Sequence, residues 1–440
     1  MTDPPKRTVQ RTARLGALPA GMAGRAAAGW FRKLGGTDRE VLAAELATKN
    51  ADQIFEVLGN LKGGAMKLGQ VLSVYEAMIP ADLAGPYQDA LIRLQANAPA
   101  MPASDVHRVL DEQLGKAWSK RFSEFDADTA HAASIGQVHR AIWHDGREVA
   151  VKIQYPGADH ALMSDLRTLQ RFARLIQIIT PGADVRALLK EIADRMSEEL
   201  DYRAEAEHQR AFAAEFETDK TVFVPKVVAS APKVIISEWV HGIPLSQLVN
   251  RPAKSADEQL VRDRIGHAAV ELMFSSPARV GLLHSDPHPG NFRLMPDGRL
   301  GVLDFGATTE IPDGVPPSLG RILWLAAQHR SDEMMALLDS EGFVGYRDEV
   351  TGEDVQRFLG AFADPLRHDR FHFNRAFTRA EGGRVTDLRG DFKTVQAMNL
   401  PPQYLMMVRV VVGWFSILAQ IDCTVSTKEI VQRWLPGFGD

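Results

Sequence analysis

Two short stretches restrict the fold of this chain more than any others: Gly281-Leu-Leu-His-Ser-Asp-Pro-His-Pro-Gly-Asn-Phe292 and Leu303-Asp-Phe-Gly306. Asn291 follows Asp286 by five residues, and Asp304 follows it by eighteen. Carboxylates and a carboxamide are the hard oxygen donors that Mg²⁺ takes. Phosphoryl transfer requires little covalent work from a protein. It needs metal ions held on the phosphates and an acceptor placed in line. An Asp for the acceptor, then an Asn and an Asp for metal, supply those groups in that order. The chain must therefore fold so that a tight loop and the end of a later strand meet.

Bulk properties exclude several alternatives. At 440 residues the chain is long enough for two lobes. A net charge of −5 gives no footprint of a general nucleic-acid binder. One cysteine, Cys423, excludes an intramolecular disulfide and a cysteine metal cluster. Leu405–Ile421 is the most apolar run, but it carries Arg409 and is too short and polar for a membrane span. Met1–Lys33 holds seven Lys/Arg and one acid, Asp3, which reads as a solvated basic arm or one that touches anionic lipid. These features point to a cytoplasmic protein, peripheral to a membrane at most.

Periodicity gives the layout. Residues 38–95 repeat apolar positions at helical spacing, and Asn97–Pro102 reads as a linker. A short helix is expected over Ser104–Leu114 with Ser104 as its N-cap. Ile135–Trp143 and Glu148–Ile153 flank the turn His144-Asp-Gly-Arg147 and predict a hairpin. Helical spacing returns over 158–216. Val222–Val228 and Lys233–Trp239 read as two further strands, and helices dominate from Leu245, apart from a strand over Arg299–Leu303. The expected fold class is α+β: a protein-kinase-like bilobal fold with additions. Its expected parts are a basic arm over 1–36, a helical extension over 37–102, an N-lobe over 103–242 with a helical insertion around 158–200, and a helical C-lobe over 243–440.

The remaining motifs fit that layout. Val149-Ala-Val-Lys152 ends a predicted strand, where a lysine reaches the α- and β-phosphates of ATP. Its acidic partner is offered by Glu198-Glu-Leu-Asp-Tyr-Arg-Ala-Glu-Ala-Glu207, and spacing alone does not choose among these acids. The phosphate loop, His131-Ala-Ala-Ser-Ile-Gly-Gln-Val138, is alanine-rich and keeps only Gly136. Ala132, Ala133, Ser134 and Gly136 are its candidate ATP contacts through backbone N–H groups. Glu238 and Val240 would offer main-chain groups to adenine. His284 and His288 flank Asp286, but Pro287 argues against a helical zinc pair, and His284 reads as a brace of the loop.

Taken together, these residues resemble the AarF/UbiB (ADCK) family of atypical kinases. Lys67-Leu-Gly-Gln70 matches its KxGQ motif and Glu199-Leu-Asp201 its ExD motif. The likeness runs from about Arg11 to the C-terminal helices. It implies that Glu205 is the helix glutamate that pairs with Lys152. It implies that Lys67, Gly69, Gln70, Glu199 and Asp201 form a built-in cover over the place where a protein kinase takes its peptide. It further implies ATP and Mg²⁺ as cofactors, Asp286, Lys152 and Glu205 as catalytic groups, and Asn291 and Asp304 on metal. The expected role is an ATP-dependent kinase or ATPase in quinone or isoprenoid-lipid metabolism, with a lipid or quinone precursor as partner. The alternatives are a nucleotide-switched binding protein and a small-molecule phosphotransferase. The chain departs from the family pattern at Thr129, His131 and Ser285, none of which is an expected ligand.

Overall fold

The computed structural model describes residues 101–129, 131–133, 135–157, 200–249, 251–344, 351–377 and 402–439. The basic arm, Lys67, Gly69, Gln70, Ser134, the insertion over 158–199 and Glu199 lie outside the described residues, and of Ala132 only the backbone is described. The chain divides into two compact units, the first taking residues up to Ala204 together with Val228–Glu238, the second Glu205–Val227 and Trp239 onward.

Among its described residues the first unit is an antiparallel sheet with helix α1 packed on it. Helix α1 (Ala103–Leu114) buries Val106, Val109 and Leu110, an i, i+3, i+4 stripe. Ser104 is not its cap. The helix starts one residue earlier, and Pro102 caps it through its carbonyl, which accepts the N–H groups of Asp105 and Val106. Strands β1 (Phe122–Phe125), β2 (His131–Ala132), β3 (Gly136–Trp143) and β4 (Glu148–Gln154) follow. The predicted turn joins β3 to β4: Gly146 takes φ 88°, and Trp143 N–H donates to Arg147 O at 2.8 Å. Strands β6 (Val227–Ala231) and β7 (Val234–Glu238) complete the order β1-β3-β4-β7-β6. Val149, Val151 and Ile153 alternate into the core, fully buried. Each such side chain contributes roughly 1.5–3 kcal/mol of burial.

The single strand expected over Val222–Val228 is two. β5 (Val222–Phe223) pairs in parallel with β11 (Leu300–Val302), and β6 joins the first sheet. Pro225, with no N–H to give a ladder, stands between them.

The second unit is built around one long helix. Helix α2 (Tyr202–Glu215) contributes Phe212 to its core, and Phe216 joins it just past the helix end. Helix α3 (Ala256–Val280) is capped by Ser255, whose hydroxyl accepts Glu258 N–H, and ends at Gly281 in the left-handed region with φ 71°. That C-cap turns the chain straight into β9 (Leu282–His284), the entry to the Asp286–Asn291 stretch. A four-stranded sheet runs β5-β11-β10-β8, with β8 at Ile243–Pro244 and β10 at Phe292–Leu294, and β12 (Thr308–Glu310) pairs with β9. Helices α4 (Pro317–Ala327), α5 (Ser331–Ser340) and α6 (Gly352–Ala363) share a second apolar cluster. Then come β13 (Phe371–Phe373), α7 (Pro402–Ile421), β14 (Cys423–Val425) and α8 (Thr427–Trp434). The apolar run near residue 410 is a core helix: Val410, Trp414, Leu418 and Ile421 are buried. No described helix is long and apolar enough to cross a membrane.

Candidate active site

In the first unit, β4 places Lys152 opposite Val138 on one side and Ile235 on the other. Its Nζ lies 5.0 Å above the Tyr202 ring, a cation–π contact. The alanine-rich loop is the β2–β3 hairpin, closed by Ala133 N–H donating to Gly136 O at 2.9 Å. A Cβ on Gly136 would fall 2.2 Å from Ile153 O, so a close approach to β4 requires glycine there. His131 sits exposed in β2, opposite Val138. Asp201 starts α2. Its Oδ1 accepts Arg203 N–H at 3.0 Å, and the Arg203 guanidinium grips both of its oxygens. That hydrogen-bonded arginine holds the Asp201 carboxyl below the usual range. Glu238, at the end of β7, lies 3.9 Å from Arg147.

In the second unit, Asn291 Nδ2 donates to Asp286 Oδ2 at 2.8 Å and to Asp286 O at 3.2 Å. Proline residues at 287 and 289 limit the loop between them, and Asn291 N–H closes a turn on His288 O at 2.9 Å. Leu303 N–H donates to Asn291 O at 2.9 Å, so Asp304 leaves β11 beside that loop. Asp304 Oδ1 accepts Gly306 N–H at 2.9 Å. Glu205 is buried on α2, and a Cβ on Gly306 would lie 3.2 Å from Asp304 Oδ1 and 3.4 Å from Glu205 Oε2. The structure thus brings Asp286, Asn291, Asp304 and Glu205 into one region of this unit. Val240 is buried, its Cγ1 2.8 Å from where a Cβ on Gly301 would stand.

His284 joins the two stretches. Its Nε2 donates to Asp304 O at 2.7 Å, since a carbonyl can only accept. Burial pushes its pKa down, which keeps the ring neutral with Nδ1 bare. Phe305 is fully buried against His284 and against Phe212 of α2, at ring separations of 5.7 and 5.1 Å.

Three further contacts escaped the sequence reading. His208 Nδ1 and Thr308 Oγ1 are 2.8 Å apart, which ties α2 to β12. The spacing of His208 three residues after Glu205, on one helical face, was the available signal. Ser285 Oγ donates to Leu283 O at 3.1 Å and meets Thr309 Oγ1 at 2.7 Å, so the hydroxyl that departs from the family pattern is satisfied locally. Gly413 of α7 faces the 286–291 loop, and a Cβ there would stand 2.5 Å from Pro287 Cγ. A glycine inside an apolar helical run was the sign of that close approach.

An Asn carbonyl and an Asp carboxylate suit Mg²⁺, which binds through one or two such groups plus substrate phosphates and water. Asn291 gives its N–H to Asp286 and so keeps its carbonyl oxygen as an acceptor for a cation. Among the described residues no group of three or more His, Cys, Asp or Glu forms a metal site by itself.

Mixed helices and sheets in this order make a kinase-like fold. The ABC1 atypical kinase-like domain matches residues 93–338, and the chain belongs to that family, the AarF/UbiB type of atypical kinase. Its relatives include the mitochondrial atypical kinase coq-8 of Caenorhabditis elegans, 32% identical over 318 residues, which are 69% of this chain and 41% of that protein. The mitochondrial atypical kinase COQ8 of Schizosaccharomyces pombe is 27% identical over 416 residues, 93% of this chain and 66% of that protein. The chain spans about half the length of the curated relatives it matches. Among solved structures, the Rv3197–erythromycin complex of Mycobacterium tuberculosis is 43% identical with a TM-score of 0.69, covering 92% of this chain and 100% of that one.

Proposed function

We propose that the protein is an ATP- and Mg²⁺-dependent atypical kinase or ATPase that acts in quinone or isoprenoid-lipid metabolism. The observation that carries this reading is the Asp286–Asn291 hydrogen bond, in a loop that His284 ties to Asp304. Asp286 acts on the acceptor, a hydroxyl or water, and Asn291 orients its carboxylate. Asn291 and Asp304 hold Mg²⁺, which supplies charge neutralisation on the phosphates. Lys152 and Glu205 orient those phosphates. Backbone groups of the 132–136 loop, Glu238 and Val240 take the rest of the nucleotide. Relatives named COQ8 support the quinone assignment, with a lipid or quinone precursor as partner. The basic N-terminal arm supports contact with anionic lipid at a membrane surface. Lys67, Gly69, Gln70, Glu199 and Asp201 act as the cover that excludes protein substrates.

The test is ATP hydrolysis with Mg²⁺, with and without anionic vesicles or a phenolic quinone-precursor mimic, for the wild type and Asp304→Asn. Turnover that rises with lipid or phenol and disappears in the variant is expected. Robust phosphorylation of peptides by the wild type would sink the cover.

The relative solved with erythromycin favours a second reading, a binding protein for a bulky hydroxylated ligand whose grip nucleotide controls. Here ATP is bound with no turnover under any condition. Calorimetric titration of erythromycin with and without ATP separates the two: nucleotide-dependent affinity without a phosphorylated product favours binding.

A further inference from the structure

Arg293 is a half-buried cation on β10, and nothing so far accounts for its charge. Its neighbour Phe292 is fully buried in the core beneath, against Trp414 at 4.7 Å. Strand alternation turns Arg293 to the opposite face. Phe292 is extended, with φ −130° and ψ 148°, so Asn291 and Arg293 leave the chain on the same side. On that side Arg293 Nη1 donates to Gly242 O at 3.0 Å, and its guanidinium carbon lies 6.0 Å from the Trp239 ring centre. Across the ladder its partner is Pro244.

Arginine is normally buried against a carboxylate. Among the described residues no carboxylate pairs with Arg293, and burial pulls its pKa down with no acid to restore it. One carbonyl occupies one of five N–H donors. A planar donor group left so under-used next to a binding segment is poised for a ligand's oxygen atoms.

Its neighbours say which ones. Asn291, two residues before it, is the proposed metal ligand and marks the phosphate end of a nucleotide. Glu238 and Val240 are proposed to meet the base, and Trp239 and Gly242, which Arg293 touches, flank Val240. Arg293 follows the first mark by two residues and donates to Gly242 O, two residues past Val240, so it reaches from one mark to the other, and the ribose is what joins phosphate to base. We propose that Arg293 is a specificity residue that donates hydrogen bonds to the ribose hydroxyls of the bound nucleotide. This rests on the ATP reading given above.

The experiment compares the affinity of the full chain for ATP and for 2′,3′-dideoxy-ATP, both with Mg²⁺, in wild type, Arg293→Leu and Arg293→Lys. The wild type is expected to bind ATP roughly ten- to a hundredfold more tightly, the worth of hydrogen bonds from a charged donor. Arg293→Leu should lower ATP affinity to the dideoxy level and leave dideoxy affinity unchanged. Arg293→Lys should keep part of the discrimination. A structural disturbance would weaken both nucleotides alike, and that result overturns the inference. So does a wild type that binds both equally, which needs no variant to fold. A wild type that binds neither removes the ATP reading and this inference with it.

Discussion

The β3–β4–β7 sheet of the first unit and the candidate catalytic stretch of the second hold their chains by opposite means. The sheet is a run of main-chain ladders, seven paired positions between β3 and β4 and five between β4 and β7, over fully buried valines and isoleucines. The candidate stretch has little ladder. Side chains pin it: Asn291 on Asp286, His284 on Asp304, Ser285 on Thr309. A ladder averages over many equivalent bonds, so one changed side chain costs stability and leaves geometry alone. A pinned loop depends on each bond for the position of its neighbour. Substitutions in the sheet should therefore lower stability, and substitutions around the loop should lower rate.

The largest effect tests the pinned side. Asp304→Asn should reduce ATP turnover by about 10²- to 10³-fold, the range for removing one group that stabilises transition-state charge. The amide Oδ1 can still accept Gly306 N–H, so the folded state persists and a thermal melt should match wild type. A melt that falls along with turnover would break the contrast. Val151→Ala tests the ladder side. It should cost about 2 kcal/mol, between the costs of Ile→Val and Leu→Ala truncations. Urea unfolding would show that loss, while kcat of the folded variant stays unchanged.

Gly413→Ala sharpens the comparison, because its two effects have opposite signs. Alanine favours a helix interior by about 1 kcal/mol over glycine. Its methyl group would also stand 2.5 Å from Pro287 Cγ and must displace the loop that carries Asp286. A misplacement of this order costs roughly 10- to 100-fold in rate. Reduced kcat with unchanged ATP affinity is the expected split. Full activity would show that α7 does not set the loop.

How much of this was legible follows from how local each feature is. The β3–β4 hairpin could be read because its turn, with Gly146, lies between its own strands. Asp286 and Asn291 could be placed together because five residues separate them, and Asp304 beside them because one strand leads into it. The split at Pro225 was missed: periodicity saw one apolar run where a missing N–H ends a ladder. Ser104 suggested a cap, but Pro102, pre-set in φ, starts the helix earlier. Contacts such as Gly413 on Pro287 and His208 with Thr308 join segments far apart in sequence. No local pattern records such a meeting, and only the tertiary fold creates it.

The smallest effect lies inside the sheet unit, at a place where it too relies on side chains. Met101 N–H donates to Gln137 Oε1 at 2.7 Å, Gln137 Nε2 donates to His139 Nε2 at 2.8 Å, and His139 Nδ1 donates to Asp126 O at 2.9 Å. Burial pushes the His139 pKa down, and the chain of bonds shows the cost. A protonated ring has N–H on both nitrogens and meets the Gln137 amino group donor to donor. If Gln137 flips to accept, its amino group then faces Met101 N–H instead. One bond is lost either way. Because the folded pKa lies below that of the unfolded chain, the unfolded state takes up the proton first. Stability is full above about pH 6.5, the unfolded value, and falls as pH drops from there toward the folded pKa. Urea midpoints at pH 7.5 and 5.5 should differ more for wild type than for His139→Gln, which removes this proton but leaves His284, shifted in the same direction, in both proteins. An equal drop in the two proteins would show that the ladders alone hold the first unit.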